Sequence, residues 1–175
     1  MSLVIVETLA DSPLVPEEPT ETDLRVLGCL TERQSTWRYS LLSHDRLRMI
    51  CTFDAPDVES VRESYRKGGG VFTRMWAGEP IEPEGVQPQR NTSTLKVAEA
   101  TFPNGFTQAE WDAGTRRALP CYAERGSEFI QSYLSLDRTR LICEFNPPDA
   151  EVIRQTRYKL GIPCDRVWSA MVISP

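Results

Sequence analysis

The chain has 175 residues, 40% of them hydrophobic and 26% charged, a composition typical of a soluble globular protein. Its 25 acidic and 20 basic residues give a net charge of -5, which argues against nucleic acid as a partner. No apolar run approaches the ~20 residues of a membrane span, so no membrane partner is expected. The first residues lack the features of a secretory signal, and the five cysteines are an odd number. Both observations indicate reduced thiols and a cytoplasmic protein.

The chain contains an internal repeat. A shift of 92 residues places residues 7–76 on residues 99–168, and 25 of these 70 pairs are identical. Between the copies lies a proline-rich polar segment, which is typical of a linker. We therefore predict one repeat over residues 1–77, a linker over 78–94 and a second repeat over 95–175.

Each copy begins with a short apolar run, residues 3–8 or 95–101, that predicts a strand. A helix is expected next, over residues 20–33 or 107–125. In the second of these, Thr107 and Glu110 have the spacing of a capping box.

Two strands should follow, joined by tight turns at residues 43–46 and 135–138. We expect the next helix to have Asp54 or Asn146 as its N-cap, a proline in its first turn and an aspartate three residues after the cap. It should end at the glycines of 68–70 or at Gly161. A last strand completes a βαββαβ order, which is that of a ferredoxin-like α+β unit.

Strand alternation indicates which side chains face the helices. Met49, Cys51 and Phe53 share one face of the third strand, as do Cys143 and Phe145 of its copy, so both cysteines are predicted to lie in the core. Cys29 and Cys121 are expected there more loosely, and Cys164 is the predicted exposed thiol. The opposite face would carry a polar and aromatic set: Glu7, Arg74, Trp76, Glu99, Arg166 and Trp168.

A sheet face that carries tryptophan and isoleucine is poorly suited to water. We therefore expect the two repeats to pack sheet to sheet as an intramolecular pseudo-dimeric α+β barrel. With the strand order 4-1-3-2, Glu7 would lie between Arg48 and Arg74. By the same order, Glu99 would lie between Arg140 and Arg166. Opposite charges on adjacent strands are favourable, and a partly buried glutamate needs such partners.

These Glu–Arg clusters have two interpretations. One is a structural ion-pair network; the other is a ligand cavity whose arginines hold an anionic or carbonyl-bearing molecule. Glu144 replaces Thr52 and Gln131 replaces Tyr39, so the two copies are not equivalent. The candidate ligand-binding residues are Arg48, Arg74, Arg140, Arg166, Tyr39, Tyr133, Trp76, Trp168 and Glu144.

The motifs of the second copy resemble a known family. Ser-Tyr-Leu-Ser-x-Asp at 132–137, Leu-Ile-Cys-Glu-Phe at 141–145, Pro-Pro-Asp-Ala-Glu-Val-Ile-Arg at 147–154 and Gly-Ile-Pro-Cys-Asp-Arg-Val at 161–167 are similar to the nickel-responsive, nickel-binding ferredoxin-like proteins. The resemblance implies the ferredoxin-like fold, nickel as a cofactor, and dimers of single-copy chains that a tandem repeat would replace.

The residues themselves predict no metal ligands and no cofactor. Nickel sites commonly use imidazole, and the only histidine, His44, is expected at a solvated hairpin tip. The chain also lacks a phosphate-binding glycine loop, a Cys-x-x-Cys pair and a nucleophile elbow.

Three functions stay open from the sequence. The first is a small-molecule-binding protein that uses the cavity between the sheets, with a metal ion as a less favoured ligand. The second is a cofactor-independent isomerase, cyclase or oxygenase with Glu7 or Glu99 as general base and an arginine that stabilises negative charge. The third is a regulatory or scaffold protein with a filled interface. The expected assembly is a monomer with an internal pseudo-twofold, or a weak homodimer.

Overall fold

The computed structural model describes residues 1–146 and 149–175. The chain forms two compact units: unit 1 comprises Met1–Glu79 and Met171–Pro175, and unit 2 comprises Pro80–Ala170. Pro147 and Pro148, and with them the proline predicted in the first turn of the last helix, lie outside the described residues. The predicted packing of the two repeats against each other stays a prediction.

Both copies have the element order β-α-β-β-α-β. The first contains β1 (Ser2–Leu9), α1 (Glu21–Glu32), β2 (Thr36–Ser43), β3 (Arg48–Ala55), α2 (Val58–Gly68) and β4 (Arg74–Ile81). The second contains β5 (Leu95–Thr101), α3 (Gln108–Glu124), β6 (Glu128–Ser135), β7 (Arg140–Asn146), α4 (Ala150–Leu160) and β8 (Arg166–Ile173). The protein therefore has a mixed α/β fold.

The strands pair antiparallel in the same order in each unit. In unit 1 the order is β2-β3-β1-β4, with Glu7 opposite Ile50 on one side and Arg74 on the other. In unit 2 the order is β6-β7-β5-β8, with Glu99 opposite Ile142 and Arg166. The first strand of each copy thus lies between its third and fourth strands.

Capping boxes begin the first helix of each copy. The Thr20 hydroxyl accepts from the Asp23 N–H at 3.1 Å, and the Asp23 carboxylate accepts from the Thr20 N–H at 2.8 Å. Thr107 and Glu110 form the same pair of bonds before α3, as their spacing predicted. Each box satisfies helix N–H groups that have no partner within the helix.

The predicted N-caps of the second helices are wrong. Asp57 caps α2 by accepting from the Ser60 N–H at 2.7 Å, and Asp149 caps α4 in the same way. Asp54 lies instead within β3 and Asn146 ends β7. The strands run further than the sequence indicated, and the aspartate after the prolines takes the cap.

Each sheet packs its helices on one face, as strand alternation predicted. In unit 1, Cys51 and Phe53 of β3 form a cluster with Leu30 of α1 and Val61 of α2. In unit 2 the corresponding cluster joins strand and helix residues: Leu141, Cys143, Phe145, Val167, Ala118, Tyr122 and Ile153. Cys51 and Cys143 are therefore core thiols, whereas Cys29, Cys121 and Cys164 are half-buried. Cys164 packs against the unit 2 cluster, so the prediction of an exposed thiol is wrong.

The helices of unit 1 approach closely at Gly68, the last residue of α2. A Cβ atom at this position would lie 2.7 Å from the backbone nitrogen of Val26 in α1. Only glycine permits this contact. Gly69 then closes the helix in the left-handed conformation, with φ of 80°, which glycine adopts readily.

None of the helices in residues 1–146 and 149–175 is long and apolar enough to cross a lipid bilayer.

Candidate functional site

Glu99 is a buried carboxylate at the centre of β5, only 1% exposed. Its position follows from the sheet: β5 lies between β7, which supplies Arg140, and β8, which supplies Arg166 and Trp168. Because side chains alternate along a strand, Arg166 and Trp168 project from the same face of β8. The local fold thus brings two guanidinium groups and one indole to a single carboxylate.

Both oxygens of Glu99 accept hydrogen bonds. Oε1 accepts from Nη2 of Arg140 and, at 3.2 Å, from Nη1 of Arg166. Oε2 accepts from the indole Nε1 of Trp168 at 2.6 Å. Arg140 also binds Asp165 through Nη1 at 3.1 Å. The negative charge of Glu99 is therefore compensated by cations on both neighbouring strands.

The equivalent cluster of unit 1 is looser. Nε of Arg74 lies 3.7 Å from Oε2 of Glu7, and Nε1 of Trp76 donates to Oε1 at 3.4 Å. The Glu7 side chain is 13% exposed, against 1% for Glu99. Arg48 lies two positions from Ile50, the β3 partner of Glu7. Repeats of similar sequence thus hold their glutamates with different tightness.

A second buried carboxylate, Glu144 of β7, has no counterpart in unit 1. Its Oε1 accepts from Nε of Arg90 at 2.7 Å, and its Oε2 accepts from Nε2 of Gln131 at 2.8 Å. The same Gln131 amide also donates to the hydroxyl of Tyr133. We call Glu144, Arg90, Gln131 and Tyr133 the Glu144 cluster. It joins two of the predicted site residues, Tyr133 and Glu144.

Tyr39 occupies the position of Gln131 in unit 1 but has different surroundings. It is 7% exposed, and its carbonyl accepts from the Thr52 hydroxyl at 3.0 Å. Thr52 stands where unit 2 has Glu144, so unit 1 has no carboxylate at this position of the strand. The asymmetry noted in the sequence is therefore an asymmetry of charge.

Two residues that belong to these clusters, Arg90 and Asp165, were not predicted from the sequence. Arg90 lies in the linker, which has no repeat partner and no periodicity that would assign it to a strand face. Asp165 precedes β8 and accepts from Arg140 and, at 2.7 Å, from the Thr101 hydroxyl. Two features of the sequence could have indicated it: its place in the family motif at 161–167, and its position beside Arg166, where the first copy has Thr73.

Nickel, which the family resemblance implies, does not fit the donors that the structure describes. Within residues 1–146 and 149–175, no three His, Cys, Asp or Glu side chains converge as a metal site requires. His44 is exposed at the β2–β3 turn. Burial raises the pKa of the Cys51 thiol to about 11, so this core sulfur is protonated at neutral pH and is a poor metal ligand.

Solved structures with similar chain traces are distant in sequence. A proposed monooxygenase from Lactobacillus acidophilus is 7% identical, with 98% of this chain and 93% of that chain covered and a TM-score of 0.47. A heme-binding protein from Thermus thermophilus is 10% identical, with 98% and 90% covered and a TM-score of 0.47. Similarity at this level indicates neither a shared reaction nor a shared ligand.

No curated protein sequence is significantly similar to the chain. Residues 97–169 match the protein family described as "Nickel responsive protein SCO4226-like". The matched segment begins in β5 and ends in β8, so it contains Glu99, Glu144, Arg166 and Trp168. The resemblance of the second copy to the nickel-responsive family is thereby confirmed.

Proposed function

We propose that the protein binds a small organic anion, such as a carboxylate, beside Arg166 and Trp168 of unit 2. The observation that carries this proposal is that Glu99 binds both Arg166 and Trp168, while the side chain of Arg166 stays 44% exposed. A guanidinium that is fixed by a buried carboxylate but open to solvent can still bind an anion. We retain the ferredoxin-like description of each unit in this proposal, because the element and strand orders support it.

Arg166 has the chemistry that a carboxylate ligand needs. Its guanidinium carries five N–H donors in a planar fork, and the contact with Glu99 uses Nη1 alone. The remaining donors can form a bidentate pair with a ligand carboxylate. Because Glu99 already orients the side chain, binding would cost less conformational entropy than it would for a freely rotating arginine.

Trp168 would supply the apolar wall of the site. Its indole N–H is bound to Glu99, which fixes the ring, and the side chain is half-buried. An aromatic ring next to a guanidinium is suited to a ligand with a flat apolar body and one anionic group. Arg74 and Trp76 repeat the arrangement in unit 1, with longer contacts to Glu7. We therefore expect the unit 2 site to bind more tightly.

The geometry favours binding over the general-base role for Glu99. A general base needs an oxygen lone pair directed at the substrate. Both oxygens of Glu99 accept hydrogen bonds from strong donors, and two of the three donors are cations. A carboxylate engaged on both oxygens is better placed to position its neighbours than to act on a substrate.

A titration with benzoate, followed by ¹H–¹⁵N NMR of the tryptophan indole signals, tests the proposal. We expect saturable shifts of the Trp168 signal, and smaller or later shifts of the Trp76 signal. Benzyl alcohol, which has the same ring without the charge, should produce no saturable shift. If benzoate and benzyl alcohol shift Trp168 equally, the anion-binding proposal is wrong.

Arg166→Gln should weaken benzoate binding by roughly ten-fold or more, as expected for the loss of a charge-assisted hydrogen bond. Arg62→Gln is the matched control, because Arg62 is a half-exposed arginine paired with Glu59 on α2. This control should bind benzoate like the unsubstituted protein. Equal losses in the two variants would point to net charge rather than to a site.

A further inference from the structure

We propose that unit 2 carries a second ligand site, a cleft that takes a small neutral molecule with a mainly apolar body and one hydrogen-bonding group. The cleft has a volume of about 340 Å³, inside the roughly 300–1,000 Å³ range of ligand pockets. Its apolar walls are formed by Pro83 and Pro88 of the linker, Leu119 and Ala123 of α3, and Phe129 of β6. Three separate segments thus line one open, mainly apolar cleft.

Ser127 supplies a buried hydrogen-bonding group to the cleft. It belongs to the lining, is 3% exposed, and its Oγ has no hydrogen-bond partner among the described residues. A buried hydroxyl without a partner is unfavourable, and native proteins seldom retain one without a reason. Since serine Oγ can occupy three staggered positions about χ1, it can turn to meet a ligand at small cost.

The first copy shows what the same position does in unit 1. Ser35 is the counterpart of Ser127 and is similarly buried, at 5% exposed. Its Oγ donates to the carbonyl of Arg33 at 3.3 Å. The serine is therefore satisfied in unit 1 and unsatisfied in unit 2, where the linker prolines line the cleft.

The charge at the cleft sets the ligand class. Glu128 belongs to the lining and is exposed, so its carboxylate would repel an anion. Because Glu128 is exposed, it would pair with a cation in solvent, whereas burying a cation among the apolar walls is costly. A neutral phenol or ketone of small size fits both conditions. This ligand differs from the anion proposed for Arg166, so the two proposals can fail separately.

Titration with p-cresol, followed by backbone ¹H–¹⁵N NMR, tests this site. We expect saturable shifts at Ala123, Gly126 and Ser127. Toluene, which lacks the hydroxyl, should shift the same signals with weaker affinity. Absence of saturable shifts with p-cresol up to its solubility limit would overturn the proposal.

Two variants and a control separate recognition from non-specific partitioning. Ser127→Ala should weaken p-cresol binding roughly five-fold, the value of one neutral hydrogen bond, and leave toluene binding unchanged. Leu119→Trp should fill the cleft and remove the binding of both compounds. Ser35→Ala should bind p-cresol like the unsubstituted protein. If Ser127→Ala binds p-cresol with undiminished affinity, the hydroxyl is not the recognition group and the proposal is wrong.

Discussion

Trp168 donates its indole N–H to Glu99 over 2.6 Å, across the β5–β8 ladder. The equivalent bond in unit 1, from Trp76 to Glu7, measures 3.4 Å. The difference accompanies a difference in burial, because Glu7 is partly exposed and Glu99 is not. Two clusters that look alike in sequence should therefore contribute differently to stability.

Glu99→Gln should destabilise the protein by about 3 kcal/mol, because it leaves the buried Arg140 guanidinium with a weaker set of partners. Glu7→Gln should cost less than about 1 kcal/mol, since its partner Arg74 is half-exposed and screened by water. Urea unfolding of both variants at neutral pH measures the two free energies. Equal decreases in the free energy of unfolding would show that the two clusters contribute equally to stability, whatever their contact lengths.

Much of the Glu99 cluster could be predicted from the sequence. The repeat shows the residue pattern of each strand twice. The period of two along a strand assigned Glu99, Arg166 and Trp168 to one face of the sheet. The position of Glu99 between Arg140 and Arg166 then followed from the strand order. Local pattern and simple topology were sufficient here.

The Glu144 cluster shows where such reasoning fails. Arg90 binds Glu144, which is 54 positions away in the chain, from the segment between β4 and β5 that has no helix or strand. No periodicity therefore indicated the direction of its side chain. The helix N-caps failed for another reason. Asp54 and Asn146 are good capping residues by type, but the strands extended through them, and strand pairing outweighed the local preference.

The corrected cap leads to a second prediction, at Asn146 and Asp149. Asp149→Ala should cost about 1 kcal/mol, the usual value of a lost N-cap, and should increase hydrogen exchange in the first turn of α4. Asn146→Ala should act elsewhere, because this side chain donates to Gln89 O at 2.8 Å and accepts from the Asn91 N–H at 2.7 Å. It should increase exchange in the linker around Asn91 and leave α4 protected. Increased exchange in α4 of the Asn146 variant would restore Asn146 as a capping residue.

The raised pKa of the buried Cys51 thiol predicts a loss of stability at alkaline pH. Burial raises its pKa from 9.0 to about 11 in the folded protein, although a hydrogen bond from Ser40 partly opposes the shift. Below about pH 9, the thiol is protonated in both the folded and the unfolded state, and the stability that depends on this protonation is fully present. Between about pH 9 and 11 the unfolded chain loses the proton first, so the free energy of unfolding should fall by about 2–3 kcal/mol.

Cys51→Ala provides the comparison for this pH dependence. It should be less stable at pH 7 because it loses buried volume, but its stability should decline less between pH 9 and 11. Chemical denaturation at several pH values gives both curves. Parallel curves for the two proteins would mean that Cys51 does not cause the alkaline loss.

Arg157 of α4 supports the last prediction, which concerns a charge in the core of unit 2. Its side chain is 2% exposed, and its described partners are neutral oxygens: Tyr122 Oη at 3.1 Å and Pro163 O at 3.3 Å. In unit 1 the same position is Tyr65, which packs edge-on against Phe53 and Phe72. Unit 2 thus holds a guanidinium where its repeat holds an aromatic ring. Tyr122→Phe should therefore cost about 1–3 kcal/mol, because it removes an acceptor from a buried cation.

Arg157→Met removes the charge and should be close to neutral, since apolar replacements of buried ionic groups are often tolerated. In this background Tyr122→Phe should no longer destabilise the protein, because the phenol hydroxyl has lost its donor. A double-mutant cycle by urea unfolding measures this coupling between the two side chains. If Tyr122→Phe costs the same with Arg157 and with methionine, the Arg157–Tyr122 bond contributes nothing to stability. The guanidinium would then be held by the main-chain carbonyl of Pro163, which a side-chain substitution does not remove.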